Sequence, residues 1–296
     1  MSARYWLLII LLGVIWGGSF PLNAILNREL DPLWISAGRV VIGALGSWTI
    51  VMFLRKKLPP FSSIYLHFLV LGTMSYAVPF ALFPLSQHAL PAGAAAIINA
   101  MMPIMTVVVS HFWPGGEQAT LNKSIGVVAG FVGVAIMASP ALSHGMSAEV
   151  WAVLACLLAT LCYAVALNYT RSFLHIDPAV LGACALTGAS ISAVIAAFLV
   201  HGTPAMPSIQ GWGALLAIGL VATGIAFQIM YRVLPIVGAT NFSITTFIAP
   251  VSAIILSVSF LGETIQPIHF LGMAGIFLGL LLIDGRVLKR LRRRAA

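Results

Sequence analysis

Arg39 is the one charged residue lying well inside an apolar run, within the segment AGRVVIGA. A planar guanidinium offers several donors in a fixed fork, which suits a carboxylate or another oxyanion. Held at mid-bilayer it costs roughly 2.5–3.5 kcal/mol on insertion scales, and less near the interface where its stem reaches polar groups. Two readings follow. Arg39 either bonds the carbonyls at a helix end, or serves as an outer gate or carboxylate-binding cation. No acid shares its run: Glu29, Asp31, Glu117, Glu149, Asp177, Glu263 and Asp284 all fall at loops or at the ends of apolar runs. Buried carboxylates are the usual proton and sodium relays of pumps, so this pattern argues against an antiporter built on a membrane glutamate. No HExxH and no Gly-rich phosphate loop with a lysine is present, and catalysis has little support.

A second set of residues is neutral. Trp16, Ser19 and Asn23 lie in the first apolar run. Tyr76, Phe80 and Phe83 lie in the third, and Asn99 and Met101 in the fourth. Tyr163 and Asn168 lie in the sixth, Gln228 and Tyr231 in the eighth, and Asn241, Thr245 and Thr246 in the ninth. Amide and hydroxyl groups among aromatic faces could line a cavity that takes a zwitterion by its ends and its side chain. The competing reading is interhelical bonding between packed helices. Pro103 and Pro250 stand mid-run at matching places, as hinges, cavity shapers or tolerated kinks. Gly126, Gly130 and Gly133 in the fifth run, and Gly272, Gly275 and Gly279 in the tenth, predict close helix packing, with a dimer face as the alternative. His111 and His269 lie near run ends, which favours an interface placement over a proton relay. Cys156, Cys162 and Cys184 sit inside apolar runs without metal or disulfide spacing, and read as small hydrophobes. No cofactor or metal is expected.

These residues need elements to hold them, and composition says which. Only 7% of the 296 residues are charged and 60% are hydrophobic, against about 25% charged in a soluble domain. A soluble enzyme, a secreted disulfide scaffold and a disordered chain are excluded. Ten runs are long enough to cross a bilayer, at 5–26, 32–54, 64–87, 91–112, 121–139, 148–170, 178–200, 211–232, 236–260 and 267–285. Each needs about 20 apolar residues. Asp31-Pro32 and Asp177-Pro178 read as helix caps with proline in the first turn. The first run has no clear cleavage site and reads as an uncleaved span. Ten spans leave no room for an extramembrane domain.

The formal charge of +8 resembles a nucleic-acid signal until the cations are placed. Six occupy the last eleven residues (Arg286, Lys289, Arg290, Arg292, Arg293 and Arg294), and Arg55-Lys56-Lys57 are consecutive. With both termini in the cytoplasm, thirteen cations fall inside and Arg28 alone outside. Such asymmetry sets orientation, and no nucleic-acid partner is expected.

The halves echo each other. Asp31 and Asp177, Glu117 and Glu263, Gly126 and Gly272, and Gly133 and Gly279 are each 146 residues apart, while Pro103 and Pro250, and Trp16 and Tyr163, are 147 apart. The repeat is five spans long, and an odd unit repeated must enter the membrane from opposite sides. The expected fold is an all-α integral membrane protein of ten helices in two inverted repeats, 1–144 and 145–296, the second with a basic tail.

The chain resembles the drug/metabolite transporter superfamily, specifically its EamA-type ten-helix exporters. The resemblance is carried by Trp16-Gly17-Gly18-Ser19-Phe20, by Arg39 in AGRVVIGA, and by AAAIINAMMP ending at Pro103. ATNFSITTFIAP ending at Pro250 and Leu261-Gly262-Glu263-Thr264 followed by Gly272 complete it. The first half departs from the last pattern, with Gly115-Gly116-Glu117-Gln118. The resemblance implies inverted repeats, cytoplasmic termini and export of amino acids, other metabolites or drugs. The expectation is a secondary exporter of small neutral or zwitterionic metabolites in a bacterial inner membrane, amino acids first and aromatic ones among them, by alternating access through a central cavity. It is not an enzyme on this reading, and its partners are a small-molecule substrate and the lipid bilayer. A monomer is expected, with a homodimer as the alternative. The competing functions are multidrug or other metabolite efflux and, from another class, a lipid-modifying membrane enzyme.

Overall fold

A backbone in lipid must satisfy its own hydrogen bonds, so apolar runs separated by Pro, Gly and short polar turns have little choice but helix. The computed structural model describes residues 2–142 and 147–285. The six C-terminal cations that weigh on the orientation lie outside the described residues. Within them the chain forms helices α1 (Ala3–Leu26), α2 (Pro32–Phe53), α3 (Ile64–Ser86), α4 (Ala92–Phe112) and α5 (Leu121–Leu142). The second half follows with α6 (Ala148–Thr170), α7 (Pro178–His201), α8 (Ile209–Gly238), α9 (Thr245–Leu261) and α10 (Pro267–Asp284). Among the described residues nine helices are long and apolar enough to cross a membrane, and α9 is a shorter apolar helix of 17 residues. The protein is an all-α membrane protein.

One boundary moves. The ninth run was expected from 236, but α8 carries on to Gly238, where φ of 77° breaks the helix. Only glycine takes that backbone cheaply. After a second turn at 243–244, α9 begins at Thr245. Asp31 also departs from expectation. It precedes Pro32 as an N-cap but makes no side-chain cap bond; its carboxylate lies 3.6 Å from His201 instead. Asp177 does cap α7, accepting the Ala179 N–H at 2.9 Å.

The repeats interleave about a pseudo-twofold. The antiparallel pair α2 and α7 packs at its centre, flanked by the related pairs α3–α7 and α8–α2, and α4–α6 and α9–α1. Helices α5 and α10 pack antiparallel against each other. Their glycines explain why: a Cβ on Gly126 would lie 2.7 Å from the Gly279 carbonyl, and one on Gly133 2.6 Å from that of Gly272. Without side chains these backbones touch. The glycines expected at a packing face therefore serve a contact within one chain rather than between two.

Three irregularities interrupt the helices near the middle of the structure. Helix α3 widens to π geometry at Thr73–Ala77 and α8 at Ala217–Ile225. The centres of the two segments, 75 and 221, are 146 residues apart, the repeat offset. Pro79 follows the first and removes a ladder donor, and nearby the Ala77 carbonyl accepts the Ser36 hydroxyl from α2 at 2.7 Å. Helix α4 breaks at Ala100–Met101, so Pro103 sits in the first turn of the half-helix Met102–Phe112. Its repeat partner Pro250 lies inside an unbroken α9. Short π segments recur at functional sites.

The ends of α1 and α10 that carry Ala3 and Asp284 share one face, called here the terminal face. The turn after Leu26 lies on the far face.

Candidate functional site

The site forms where the two π segments meet α2. Arg39 is the eighth residue of α2, roughly 10 Å along a helix about 33 Å long. It is 5% exposed. Its Nε donates to the Thr223 hydroxyl at 2.9 Å, and that hydroxyl in turn donates to the Ile218 carbonyl at 2.9 Å. The guanidinium carbon lies 3.5 Å from the Phe80 ring centroid. Arg39 thus turns inward, bonded to a hydroxyl and an aromatic face, rather than to the helix-end carbonyls of the first reading. Among the described residues no carboxylate forms an ion pair with it. The cost of a buried cation is offset by a charge-assisted bond of about 1.5–3 kcal/mol and a desolvated cation–π contact of up to about 2.

Aromatic rings extend from that point. Tyr76 contacts Phe80 at 5.8 Å and Phe227 edge-on at 5.2 Å. Phe227 meets Trp16 at 5.7 Å, and Trp16 meets Phe242 at 6.0 Å. The Tyr76 and Tyr231 hydroxyls are 3.2 Å apart, a hydrogen bond between the repeats. A second cluster joins Phe20 to Phe83 at 5.4 Å and Phe83 to Tyr163 at 6.2 Å. These rings come from α1, α3, α6 and α8 together with Phe242 ahead of α9, so both repeats build the site.

The expected residues divide accordingly. Trp16, Arg39, Tyr76, Phe80, Phe83, Tyr163 and Tyr231 come together. Ser19 and Asn99 carry buried oxygens without a partner among the described residues, at Oγ and Oδ1. Gln228 is buried and donates to the Ala179 carbonyl at 3.5 Å. The others stand apart. Asn168 accepts the Ser110 hydroxyl at 2.8 Å and donates to the Ala164 carbonyl, which ties α4 to α6. Met101 is fully buried in a hydrophobic cluster, its sulfur against Gly130 of α5. Asn241 donates to the Val237 carbonyl, and the Thr245 and Thr246 hydroxyls bond back to Phe242 and Ser243. Phe227, Thr223, Phe242 and Phe20 are not among the candidate site residues read from the sequence. A signal for two of them exists. Tyr76 and Thr223, and Phe80 and Phe227, are each 147 residues apart, so mapping the first-half candidates onto the second half finds them.

A cavity of about 470 Å³ opens beside the site near the terminal face, and one of about 420 Å³ adjoins it on the apolar exterior, among Ile50, Phe53, Ile225 and Ile229. Gln228 and Arg232 line both, and Tyr231, Lys56 and Asp177 line the larger. Lys56 and Asp177 pair at 2.7 Å on its rim. Burial pushes the Asp177 carboxyl up, but the Lys56 ammonium and the Ala179 N–H outweigh it and hold it below the usual range. The Tyr231 ring fits because residue 182 has no side chain: a Cβ there would lie 2.6 Å from Cε2 and 2.7 Å from the hydroxyl. Gly182→Ala is expected to cost about 1–3 kcal/mol by overpacking. Tyr231→Ala in the same chain should remove most of that penalty in a thermal-unfolding double-mutant cycle.

The far face is tied instead. The Glu29 carboxylate accepts the Ser208 N–H at 2.7 Å and its hydroxyl at 2.6 Å. Those bonds hold the Glu29 carboxyl below its ordinary range. The Glu263 carboxylate accepts the N–H groups of Ala92 and Gly93 at 2.9 and 3.3 Å, where the dipole of α4 favours an anion. With Asp31 and His201, each tie joins a first-half loop or helix end to a second-half one.

Known proteins agree with this architecture. The model of the EamA-like transporter family matches twice, over residues 4–139 and 150–284. The uncharacterized transporter YoaV of Bacillus subtilis (strain 168) is 24% identical, over 93% of this chain and 92% of its own. YvbV of the same organism, also named an uncharacterized transporter, is 27% identical over 94% and 89%. The uncharacterized inner membrane transporter YedA of Escherichia coli (strain K12) is 22% identical over 91% and 87%. One crystal structure matches the fold with a TM-score of 0.67 at 18% identity, covering 96% of this chain and 98% of that one. With the family's five-helix unit present twice and a membrane fold built from both copies, this chain belongs to the EamA-like transporter family of the drug/metabolite transporter superfamily.

Proposed function

We propose that this transporter exports small neutral or zwitterionic metabolites, amino acids first and aromatic ones among them, from the cytoplasm across a bacterial inner membrane. The observation that carries the reading is Arg39: a buried cation with no carboxylate partner among the described residues, stacked on Phe80. A substrate carboxylate supplies the missing charge, and its side chain lies among Trp16, Tyr76 and Phe227. A lipophilic cation gains nothing beside an uncompensated arginine, which weighs against cationic drugs.

Both termini lie in the cytoplasm on this reading, because Arg55, Lys56, Lys57, Arg171 and Arg232 then fall inside. On this reading the larger cavity, rimmed by Lys56 and Asp177, opens to the cytoplasm and the far-face ties close the outer side, so this conformer receives substrate from within. The two repeats, 1–144 and 145–296, move against each other in alternating access. A single copy is the working unit on this reading, with a homodimer as the alternative. Acids stand only at helix ends and loops, so we favour facilitated export down a gradient over proton antiport.

Counterflow of labelled aromatic amino acids in proteoliposomes tests the proposal. Accumulation of label against preloaded unlabelled amino acid is the expected result. Flux of lipophilic cations with no amino-acid counterflow overturns the substrate class. Transport seen only under an imposed pH gradient overturns the uncoupled mechanism.

A further inference from the structure

Helix α1 carries Trp16, Ser19 and Asn23, and its C-cap is Asn27; steps of three and four put the four on one face. Each holds a buried polar atom without a partner among the described residues: Trp16 Nε1, Ser19 Oγ, Asn23 Oδ1 and Asn27 Oδ1. Asn99 of α4 and Gln87 just past α3 do the same. Leaving such an atom unpaired costs on the order of 1–3 kcal/mol. Interhelical bonding does not account for them, because the groups that bond helices here have found their partners: Trp48 reaches Thr187 at 2.8 Å and Ser110 reaches Asn168 at 2.8 Å. Trp34, Ser47 and Ser257 also hold unpaired atoms, but they form no row.

The row has direction. It starts at Trp16, whose ring meets Phe227 in the site, and passes Phe20 against Phe83. It ends at Asn27, whose amide donates to the Pro84 carbonyl at 2.8 Å, two residues before Glu29. Glu29 is clasped by Ser208 at the first turn of α8, and a Cβ on Gly211 would lie 2.6 Å from its carboxylate oxygen. A line of unmet hydrogen-bonding groups therefore runs from the site to a closed tie on the far face.

We infer that this face of α1 is the exit path, shut in this conformer, and that it passes small solutes rich in donors and acceptors while rejecting lipophilic ones. Breaking the Glu29–Ser208 tie opens it to the outside. The inference rests on the transport reading above for its direction, but its test does not require transport.

Cysteine is placed singly at Ser19, Asn23 or Asn27 in a chain whose Cys156, Cys162 and Cys184 are alanine. A membrane-impermeant thiol reagent is added outside intact cells, with Glu29 native or changed to Gln or Ala. Losing a charge-assisted bond moves a two-state balance by about tenfold or more, so labelling at Asn23 and Asn27 should accelerate by that factor in Glu29→Ala. Cysteine at Leu11 or Val14, exposed on other faces of α1, should not respond. Unchanged labelling at the three positions, or equal acceleration at Val14, overturns the exit path. Should Glu29→Ala not reach the membrane, Ser208→Ala removes one of the two bonds and gives the same readout in smaller measure. A chain that labels as expected but moves no amino acid fails the substrate reading alone; one that transports without this labelling pattern fails the exit path alone.

Discussion

Replacing Arg39 by glutamine is expected to abolish amino-acid export while leaving the protein in the membrane at wild-type levels or above. Two quantities separate here. Insertion becomes easier, because a charge worth roughly 2.5–3.5 kcal/mol at mid-bilayer is removed. Binding becomes harder, because a desolvated charge pair with substrate is worth about 2–5 kcal/mol, which corresponds to a loss of some 30-fold or more. Arg39→Lys should recover only part of the activity. An ammonium keeps the charge but not the planar fork that lies flat on Phe80 and reaches Thr223 through Nε. Initial rates of counterflow, normalised to protein in the vesicles, check both variants. An Arg39→Gln transporter with normal rates at normal levels would sink the carboxylate role.

That role was half visible in the sequence. A lone arginine in an apolar run announces itself, and so do ten runs separated by Pro and Gly, because lipid leaves the backbone one solution. What the runs conceal is rotation. A helix apolar on every side gives no period from which to read its inward face, so Asn168 and Met101 looked equivalent to Tyr76 and Phe80. Only packing sends the first two against neighbouring helices. Phe227 was hidden for the same reason, being one more hydrophobe between Ala226 and Gln228. The π segments at Thr73–Ala77 and Ala217–Ile225 have no apolar signature either, yet they hold Tyr76 and Thr223. The offset of 147 residues carried that information across the halves, and it is the part of the sequence that reached the site most directly. The acids read differently in place. Placed by sequence at loops and span ends, Glu29, Asp31, Glu263 and Asp177 prove to join one half to the other at both faces.

Glycine at 133 is expected to be among the least replaceable positions outside the site. A Cβ there would stand 2.6 Å from the Gly272 carbonyl, 2.8 Å from the Ile276 nitrogen and 3.1 Å from the Gly275 carbonyl carbon, all backbone. No side chain can swing aside, so α5 and α10 must separate along their seam, including the reciprocal contacts of Gly126 and Gly279. Overpacking usually costs about 1–3 kcal/mol where neighbours can yield. Here they cannot, and Gly133→Leu should lose most folded protein, measured as the monodisperse fraction in detergent and as the thermal midpoint of what remains. Gly18→Ala provides the contrast on a helix of similar length. Its added methyl would meet only Leu256 Cδ1 at 3.6 Å, an ordinary contact, and alanine favours helix over glycine by up to about 1 kcal/mol. That variant should be unchanged or slightly more stable. If Gly133→Leu folded as well as Gly18→Ala, the close seam between α5 and α10 could not be what holds the ends of the two repeats together.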